Sequence, residues 1–275
     1  MLRFLSAPKE PVDASVLLVG APLDLTTSFR PGTRFAPERI RSVSEGLESY
    51  SPHWKRDLAD LSWADEGDVS LSGDLVTALE ELELSFSEIY GRGNKLLLLG
   101  GEHLVTYPAV CAAHAAHPDL AVVCWDAHAD LRNEYLGLRF SHATVGRRIL
   151  ERVGEAAFFQ AGVRSMTREE SAFTQEFWGN DLLAFSRNFR EKVGERPVYL
   201  SIDVDVLDPA YAPGTGAPEP GGITTRELFH ALYALEGINL VGVDVVEVCP
   251  SGDVADVTSL LAAKLARELL FMLAS

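Results

Sequence analysis

The sequence predicts a three-layer α/β/α sandwich with a central, mainly parallel β-sheet, formed by one domain over residues 1–275. Short apolar runs alternate along the chain with amphipathic segments of helical periodicity. Most of these runs are continuously apolar, which is typical of strands buried on both faces of a parallel sheet. The length of 275 residues fits one α/β domain, and no linker, repeat or low-complexity tract divides the chain.

Seven segments rich in β-branched and other apolar residues predict strands. They are Val16–Gly20, Lys95–Leu99, Leu120–Trp125, Ala157–Val163, Leu182–Ser186, Val198–Ile202 and Leu240–Val246. Six segments place apolar residues three and four positions apart, which predicts helices. They are Leu75–Tyr90, Leu104–Ala116, Thr144–Val153, Arg168–Phe177, Thr225–Leu235 and Val254–Leu273. The proline- and glycine-rich segment Pro209–Gly222 predicts an ordered loop that shapes a site, because it follows the most acidic strand end.

Composition excludes several classes of function. The 24 basic and 40 acidic residues give a formal net charge of −16, which argues against a nucleic-acid partner and suits a small cationic substrate or divalent metal ions. Because no run of 18 uncharged apolar residues occurs, we expect no membrane-spanning segment. The cysteines Cys111, Cys124 and Cys249 form no CxxC pair, which indicates buried apolar roles in a reducing compartment, the cytoplasm.

Acidic residues and histidines are concentrated where four predicted strands end. The first of these strands leads into the sequence GGEH, the second into DAHAD, the third into DVD and the fourth into a glutamate. Because the carboxyl ends of parallel strands share one edge of the sheet, where ligands bind, we expect these side chains to converge. The converging residues are His103, Asp126, His128, Asp130, Asp203, Asp205 and Glu247.

So many carboxylates require a compensating charge in a low-dielectric cleft, and no lysine or arginine lies within these motifs. A ligand set of two histidines and four aspartates suits ions such as Mn²⁺, and paired ions in two-metal sites lie about 3.5–4 Å apart. Asp126, His128 and Asp130 would face one point if the strand continued, since alternate residues of a strand point the same way. Any one of these residues alone is more simply a helix cap or turn former, and Glu102 is expected only to cap the following helix.

Three motifs, in this order, resemble those of the ureohydrolases, the arginase/agmatinase family. They are Gly100–His103 (GGEH), Asp126–Asp130 (DAHAD) and Ser201–Pro209 (SIDVDVLDP). Other segments that look like those of the family are Ser28–Pro37, Ala212–Gly222 and Asp244–Pro250. The resemblance covers nearly the whole chain, and the segment Asp130–Ser141 looks most like bacterial and archaeal agmatinases.

The resemblance implies an arginase-like fold with two Mn²⁺ ions per subunit and a trimer or hexamer of identical chains. The ligands of one ion would be His103, Asp126, Asp130 and Asp205, with His128 and Asp203 completing the second ion, or with Asp126 and Asp205 bridging both. A hydroxide that bridges the metals would attack the guanidinium carbon of the substrate.

The resemblance also implies three catalytic roles. Asp130 would accept a hydrogen bond and then the proton of the hydroxide, His142 would carry a proton to the leaving amine, and Glu247 would pair with the substrate guanidinium. The simpler interpretation of His142 is a surface histidine at a helix start, and that of Glu247 is a cap at a strand end.

Agmatine, cleaved to putrescine and urea, is the substrate that we expect, because Arg132 stands where arginases place an asparagine. Arg132 or Arg139 could instead pair with a substrate carboxylate, which would fit a guanidinobutyrase, a guanidinopropionase or an arginase. A catalytically silent metal-binding regulator on the same fold is a further alternative. A binuclear metallophosphatase fits less well, since its expected asparagine ligand and phosphate-binding basic residues do not accompany these motifs. A one-metal deacylase fits less well, since the motifs supply ligands for two ions.

Overall fold

A seven-stranded parallel β-sheet forms the centre of the computed structural model, which describes residues 2–7, 14–173 and 181–274. The strands of this sheet are β1 (Val16–Ala21), β4 (Trp63–Asp68), β5 (Lys95–Gly100), β6 (Ala121–Trp125), β7 (Phe158–Ala161), β8 (Pro197–Asp203) and β9 (Asn239–Val246). They are ordered β4-β1-β5-β9-β8-β6-β7, and every neighbouring pair is parallel. A separate antiparallel pair is formed by β2 (Tyr50–Ser51) and β3 (Arg56–Asp57).

Helices cover both faces of the sheet. They are α1 (Ala36–Ser44), α2 (Leu75–Gly91), α3 (Thr106–Ala116), α4 (Val145–Val153), α5 (Leu182–Val193), α6 (Thr225–Tyr233) and α7 (Val257–Leu273). Alternate residues of β5 enter different cores: Leu97 and Leu99 pack with α1, α5, α6 and α7, whereas Leu96 and Leu98 pack with α2, α3 and α4. This alternation explains why the strand sequences are continuously apolar, and it confirms the predicted three-layer sandwich.

One predicted strand is wrong. Leu182–Ser186 forms the start of α5, where the side chain of Asp181 accepts a hydrogen bond from Ala184 N at 2.9 Å and caps the helix. The buried residues of α5 include Phe185 and Phe189, whose spacing of four is helical, so this apolar run follows the period of a helix and not that of a strand. The structure also contains β4 and α1, which the sequence analysis did not predict.

The predicted helix Arg168–Phe177 is replaced, within the described residues, by a short 3₁₀ helix over Glu170–Ala172, and residues 174–177 lie outside them. Cys111, Cys124 and Cys249 are buried and form no disulfide, as expected. Across the described ranges, no helix combines the length and the hydrophobicity needed to cross a bilayer.

Candidate metal centre and active site

The order of the strands brings the acidic motifs together. The four strands that end in candidate ligands, β5, β9, β8 and β6, are consecutive neighbours in the sheet. Their carboxyl ends open into one pocket, which is lined by six of the seven residues predicted to converge: His103, His128, Asp130, Asp203, Asp205 and Glu247. The seventh, Asp126, is buried at the end of β6, within 2.9 Å of the His103 Nδ1 atom. The predicted convergence of these seven side chains at the carboxyl edge of the sheet is therefore confirmed.

Gly101 allows the segment after β5 to pass against a neighbouring backbone. A Cβ atom at this position would lie 2.0 Å from the carbonyl oxygen of Leu23, closer than any real contact. The same segment is fixed on both sides, since Glu102 N donates to Leu23 O at 2.7 Å and Glu247 N donates to Gly101 O at 2.9 Å. His103 then begins a 3₁₀ helix with its ring buried at the sheet edge.

The DAHAD segment does not continue β6 as a regular strand. Asp126 N still donates to Ala161 O at 3.1 Å, and His128 forms an isolated parallel bridge with Ser165. Asp130, however, has a positive φ of 51°, so the chain bends at the last acid of the motif. The alternation predicted for an extended strand therefore applies only to the first part of this segment.

The chain also turns between Asp203 and Asp205. Residues Val204–Val206 form a 3₁₀ helix, and Asp203 Oδ1 accepts a hydrogen bond from Asp205 N at 2.8 Å. As a result Asp203 lies next to His103, with 3.3 Å between Asp203 Oδ2 and His103 Nδ1, while Asp205 Oδ2 lies 2.9 Å from His128 Nδ1. The resemblance implies the other pairing, with Asp205 in the ligand set of His103 and Asp203 in that of His128.

Two groups of three ligand atoms result, and they share one carboxylate. The first group consists of His103, Asp126 and Asp203, and the second of Asp126, His128 and Asp205. Within each group all ligand atoms lie within 4.8 Å of one another. Asp130 Oδ2 lies 3.5 Å from His103 Nδ1 and so borders the first group.

The electrostatics of these groups indicate a site for cations. Desolvation and repulsion from neighbouring carboxylates raise the pKa of Asp130, Asp203 and Asp205 above the usual value. Burial alone would lower the pKa of His103, but the negative charge of Asp126 raises it well above the usual range. Nδ1 of His103 is buried and makes no hydrogen bond of good geometry, although it faces three carboxylates. An orphaned imidazole nitrogen among aspartates fits a bound metal cation.

A chain of buried polar groups fixes the orientation of His103. Its Nε2 atom lies 3.1 Å from Ser201 Oγ, which donates to Asp244 Oδ1 at 2.6 Å. Tyr199 OH donates to Asp244 Oδ2 at 2.9 Å. A proton on Nε2 of His103 leaves Nδ1 with its lone pair toward the carboxylates, which is the tautomer that a metal ligand needs. Both Ser201 and Asp244 lie within the quoted motifs, but strand pattern alone gave no sign of this contact.

Glu247 borders the ligand groups from the end of β9. It has a positive φ of 65°, and its Oε1 atom accepts a hydrogen bond from His103 N at 2.7 Å. A Cβ atom on Gly216 would lie 3.2 Å from Glu247 Oε2, so the glycine keeps the space beside that oxygen open. Burial raises the pKa of Glu247 to about 8. A cationic group in the pocket would favour its ionised form.

His142 lies on another wall of the same pocket, at the start of a 3₁₀ helix that precedes α4. Both ring nitrogens lie near hydroxyl groups: Thr26 Oγ1 is 3.4 Å from Nδ1 and Ser28 Oγ is 3.2 Å from Nε2. Burial lowers the pKa of His142 to about 4, so the ring is neutral at pH 7. A position within the pocket distinguishes it from an ordinary surface histidine.

Two residues with a clear role in the site were not identified from the sequence. Glu102 does not cap the helix that follows; its carboxylate instead accepts hydrogen bonds from Thr26 N at 2.9 Å and from Thr27 Oγ1 at 3.3 Å. Among the residues that the structure describes, Arg164 donates to main-chain carbonyls, including Asp205 O at 2.6 Å and Glu219 O at 2.7 Å. No sequence signal marks Arg164, because carbonyl oxygens are available at every position.

The rim of the pocket contains Arg132, which is already engaged. Its guanidinium lies 4.9 Å from the centre of the Tyr135 ring, and its Nε atom lies 3.9 Å from Glu170 Oε2. Glu170 is buried and also accepts hydrogen bonds from the backbone N–H groups of Leu131 and Thr167, at 3.0 and 2.7 Å. Arg139 pairs with Glu151 at the surface, 3.2 Å apart.

Comparison with known proteins identifies the family. The chain matches the family model described as the arginase family over residues 14–272. It is 43% identical over 265 residues to the agmatinase of Bacillus anthracis, covering 94% of this chain and 91% of that relative. It is 37% identical over 288 residues to the guanidinobutyrase of Pseudomonas aeruginosa, covering 99% of this chain and 90% of that relative. The solved structure of the agmatine ureohydrolase of Thermoplasma volcanium superposes with a TM-score of 0.90 at 33% identity, covering 100% of this chain and 94% of that chain. The chain therefore belongs to the arginase family.

Proposed function

We propose that this chain is an enzyme that hydrolyses agmatine to putrescine and urea, with two Mn²⁺ ions at the edge of the sheet. The observation that carries the proposal is that Asp126 belongs to both groups of ligand atoms. Glu247 in addition lines the pocket onto which these groups open. A carboxylate shared by two ligand groups suits a pair of ions, and a further acid in the pocket suits a guanidinium. The identity of 40–43% to agmatinases of four bacteria supports agmatine as the substrate.

Six residues would hold the two ions. The first ion would be bound by His103, Asp126 and Asp203 with Asp130 beside them, and the second by Asp126, His128 and Asp205. When bound, a pair of divalent cations supplies Lewis acidity and lowers the pKa of water to about 7, which makes a strong nucleophile available at neutral pH.

Glu247 would bind and orient the substrate. Its Oε1 atom already accepts a hydrogen bond from His103 N, so Oε2, beside Gly216, is the oxygen that faces incoming N–H donors. A carboxylate held in this way would bind a guanidinium in the pocket that the metal-ligand groups also line. Orientation matters because the resonance-stabilised guanidinium carbon is a poor electrophile.

Asp130 and His142 would handle the protons. Asp130 would take the proton released when the new carbon–oxygen bond forms, and His142 would return a proton to the alkyl nitrogen as the carbon–nitrogen bond breaks. The electron pair of that bond stays on the leaving nitrogen, so putrescine departs as an amine and urea remains. A neutral imidazole at pH 7 can receive the proton before it delivers it.

The rim of the pocket supports a substrate without a distal carboxylate. Arg132 stacks on Tyr135 and lies near the buried Glu170, so its charge is partly neutralised within the protein. Arg139 likewise pairs with Glu151. Agmatine ends in an ammonium group and needs neither arginine, whereas guanidinobutyrate, guanidinopropionate and arginine each carry a carboxylate that would compete for one of them.

We further propose that residues 1–275 form one domain, that the chain assembles as a trimer or hexamer of identical subunits, and that it acts in the cytoplasm. The free, buried cysteines support a reducing compartment. Production of putrescine from agmatine would make the reaction a step of polyamine biosynthesis. Size-exclusion chromatography with light scattering tests the oligomeric state.

Urea release by the manganese-loaded protein tests the proposed function. Agmatine, arginine, guanidinobutyrate and guanidinopropionate are compared side by side, and kcat/KM is measured for each. We expect kcat/KM for agmatine to exceed the others by at least a hundredfold. Preference for a carboxylate-bearing substrate would keep the chemistry but reject agmatine, and release of urea from none of them, with metal bound, would favour the silent regulator.

A further inference from the structure

We infer that the segment over residues 24–28, tied down by the buried carboxylate of Glu102, positions the imidazole of His142 through the hydroxyl groups of Thr26 and Ser28. The inference rests on the proposed function, because it is the proton transfer by His142 that gives the position of the ring its importance. It assigns positioning roles to three residues, none of which binds metal or touches the guanidinium in the proposed mechanism.

The contacts of His142 come from one short segment. Thr26 Oγ1 accepts a hydrogen bond from the backbone N–H of His142 at 3.0 Å and lies 3.4 Å from Nδ1 of the ring. Ser28 Oγ lies 3.2 Å from Nε2. The ring also packs perpendicular to that of Tyr135, with 5.6 Å between ring centres and an angle of 89° between the planes. The two hydroxyls therefore hold opposite edges of the ring.

Glu102 fixes this segment to the edge of the sheet. Its side chain is fully buried, and its Oε2 atom accepts hydrogen bonds from Thr26 N and Thr27 Oγ1. The main chain adds a second tie, because Glu102 N donates to Leu23 O at 2.7 Å. The segment that holds His142 is thereby attached to the residue that precedes His103 in the chain.

Asp24, the first residue of the segment, is also held in place. Asp24 Oδ2 accepts a hydrogen bond from Gly32 N at 3.0 Å, and Asp24 Oδ1 lies 3.1 Å from a guanidinium nitrogen of Arg34. Asp24 is nearly buried, whereas Ser28 is exposed and lines the pocket. The segment is thus held at Asp24 and at Thr26, and Ser28 at its other end presents its hydroxyl group to the pocket.

Hydroxyl groups are suited to holding a histidine that exchanges protons. A hydroxyl both donates and accepts, so Thr26 and Ser28 can each remain in contact with the ring whether the adjacent nitrogen carries a proton or a lone pair. A carboxylate in the same place would favour the charged imidazolium and hold its proton. The arrangement keeps the ring in place in either neutral tautomer without fixing the tautomer.

The burial of Glu102 is consistent with this role. A carboxyl group without contact to solvent is costly unless hydrogen bonds compensate, and the groups that compensate here are Thr26 N and Thr27 Oγ1. Glu102 makes no capping hydrogen bond, so the helix that follows does not explain why an acid lies there.

Substitution of the two hydroxyl residues tests the inference. Removal of the Ser28 hydroxyl in Ser28→Ala is expected to lower kcat for agmatine about tenfold with less than a twofold change in KM, since acid–base catalysis as a whole is worth about 10²–10⁴. Ser28→Thr keeps a hydroxyl and should restore most of kcat. Thr26→Val and Thr26→Ser form a second matched pair with the same expectation.

Chemical modification supplies a readout that does not depend on activity. The manganese-loaded variants are treated with diethyl pyrocarbonate, and the modification rate of His142 is followed by peptide mass spectrometry, with the exposed His53 as internal reference. A ring released by Ser28→Ala or Thr26→Val should react several times faster, while the rate at His53 stays constant.

The inference is overturned if the rate at His142 is the same in Ser28→Ala, Thr26→Val and the wild type, whatever happens to kcat. If the variants react faster at His142 while the wild-type protein releases no urea from agmatine, the positioning role is supported and the proposed function is rejected. The two ideas therefore fail separately.

Discussion

Replacement of Glu247 by glutamine should lower kcat/KM for agmatine by about a hundredfold to a thousandfold and leave the fold and the bound metal unchanged. Glutamine keeps a carbonyl oxygen that can accept the hydrogen bond from His103 N, now made by Glu247 Oε1 at 2.7 Å. The other oxygen, beside Gly216, becomes an amide nitrogen that donates and so opposes the N–H groups of the guanidinium.

The magnitude follows from the interactions that are lost. A hydrogen bond to a charged group contributes about 1.5–3 kcal/mol, and the opposed donors add to this loss, for a total of about 3–4 kcal/mol. With about 1.4 kcal/mol for each factor of ten in rate, the expected loss is about 10²–10³. The assay is steady-state urea release with metal content measured on the same samples, and Glu88→Gln, on the exposed face of α2, serves as the control. A Glu247→Gln variant that binds manganese and retains kcat/KM within threefold of wild type would refute the assigned role.

Three further predictions concern the metal site and the strand end that supports it. Asp126→Asn removes the carboxylate shared by both ligand groups, so elemental analysis should find little bound manganese and the urea assay no activity; a fully active variant would reject the two-metal site. Gly101→Ala places a Cβ atom against the backbone of Leu23, so urea denaturation should show a loss of about 1–3 kcal/mol in unfolding free energy, and an unchanged midpoint would contradict the steric argument. The pKa values of His128, Asp130 and Asp203 are raised in the metal-free folded protein, so these groups hold protons that they release in the unfolded chain. The free energy of unfolding without metal therefore falls as the pH rises above the unfolded pKa values. A bound metal ion must displace these protons. Manganese should therefore raise the unfolding temperature more at pH 8 than at pH 6, and an equal increase would show that the ligands are already deprotonated.

The convergence of the ligands could be predicted because it depends only on topology. In a parallel sheet all strands end at the same edge, so the residues after β5, β6, β8 and β9 meet once those strands are recognised as neighbours. The strands themselves were recognisable because burial on both faces leaves an uninterrupted apolar run. No information about side-chain geometry was needed for either step.

The allocation of Asp203 and Asp205 could not be predicted in the same way. Strand periodicity places residues i and i+2 on one side, but a single hydrogen bond from Asp205 N to the Asp203 carboxylate turns the chain and separates their partners. Leu182–Ser186 shows the same difficulty on a larger scale, since four apolar residues followed by a serine fit a strand or one turn of a buried helix equally well. The strand β4 was not predicted because its sequence is polar rather than apolar. Its Asp65 can be buried because Arg41, a partner distant in sequence, forms an ion pair with it at 2.8 Å.

The carbonyl contacts of Arg164 affect how this protein can change its substrate. One guanidinium joins the carbonyls of Gly162, Asp205 and Glu219, so the turn that carries Asp205 and the loop over residues 209–222 share one support. A mutation that lengthens or reshapes that loop would shift Asp205 as well, so the enzyme would lose catalytic activity together with its original substrate specificity. Within the described part of the chain, the segment over residues 131–140 accepts no hydrogen bond from Arg164. We therefore expect laboratory evolution toward a new guanidino substrate to accumulate substitutions in residues 131–140 and to leave the 209–222 loop nearly constant.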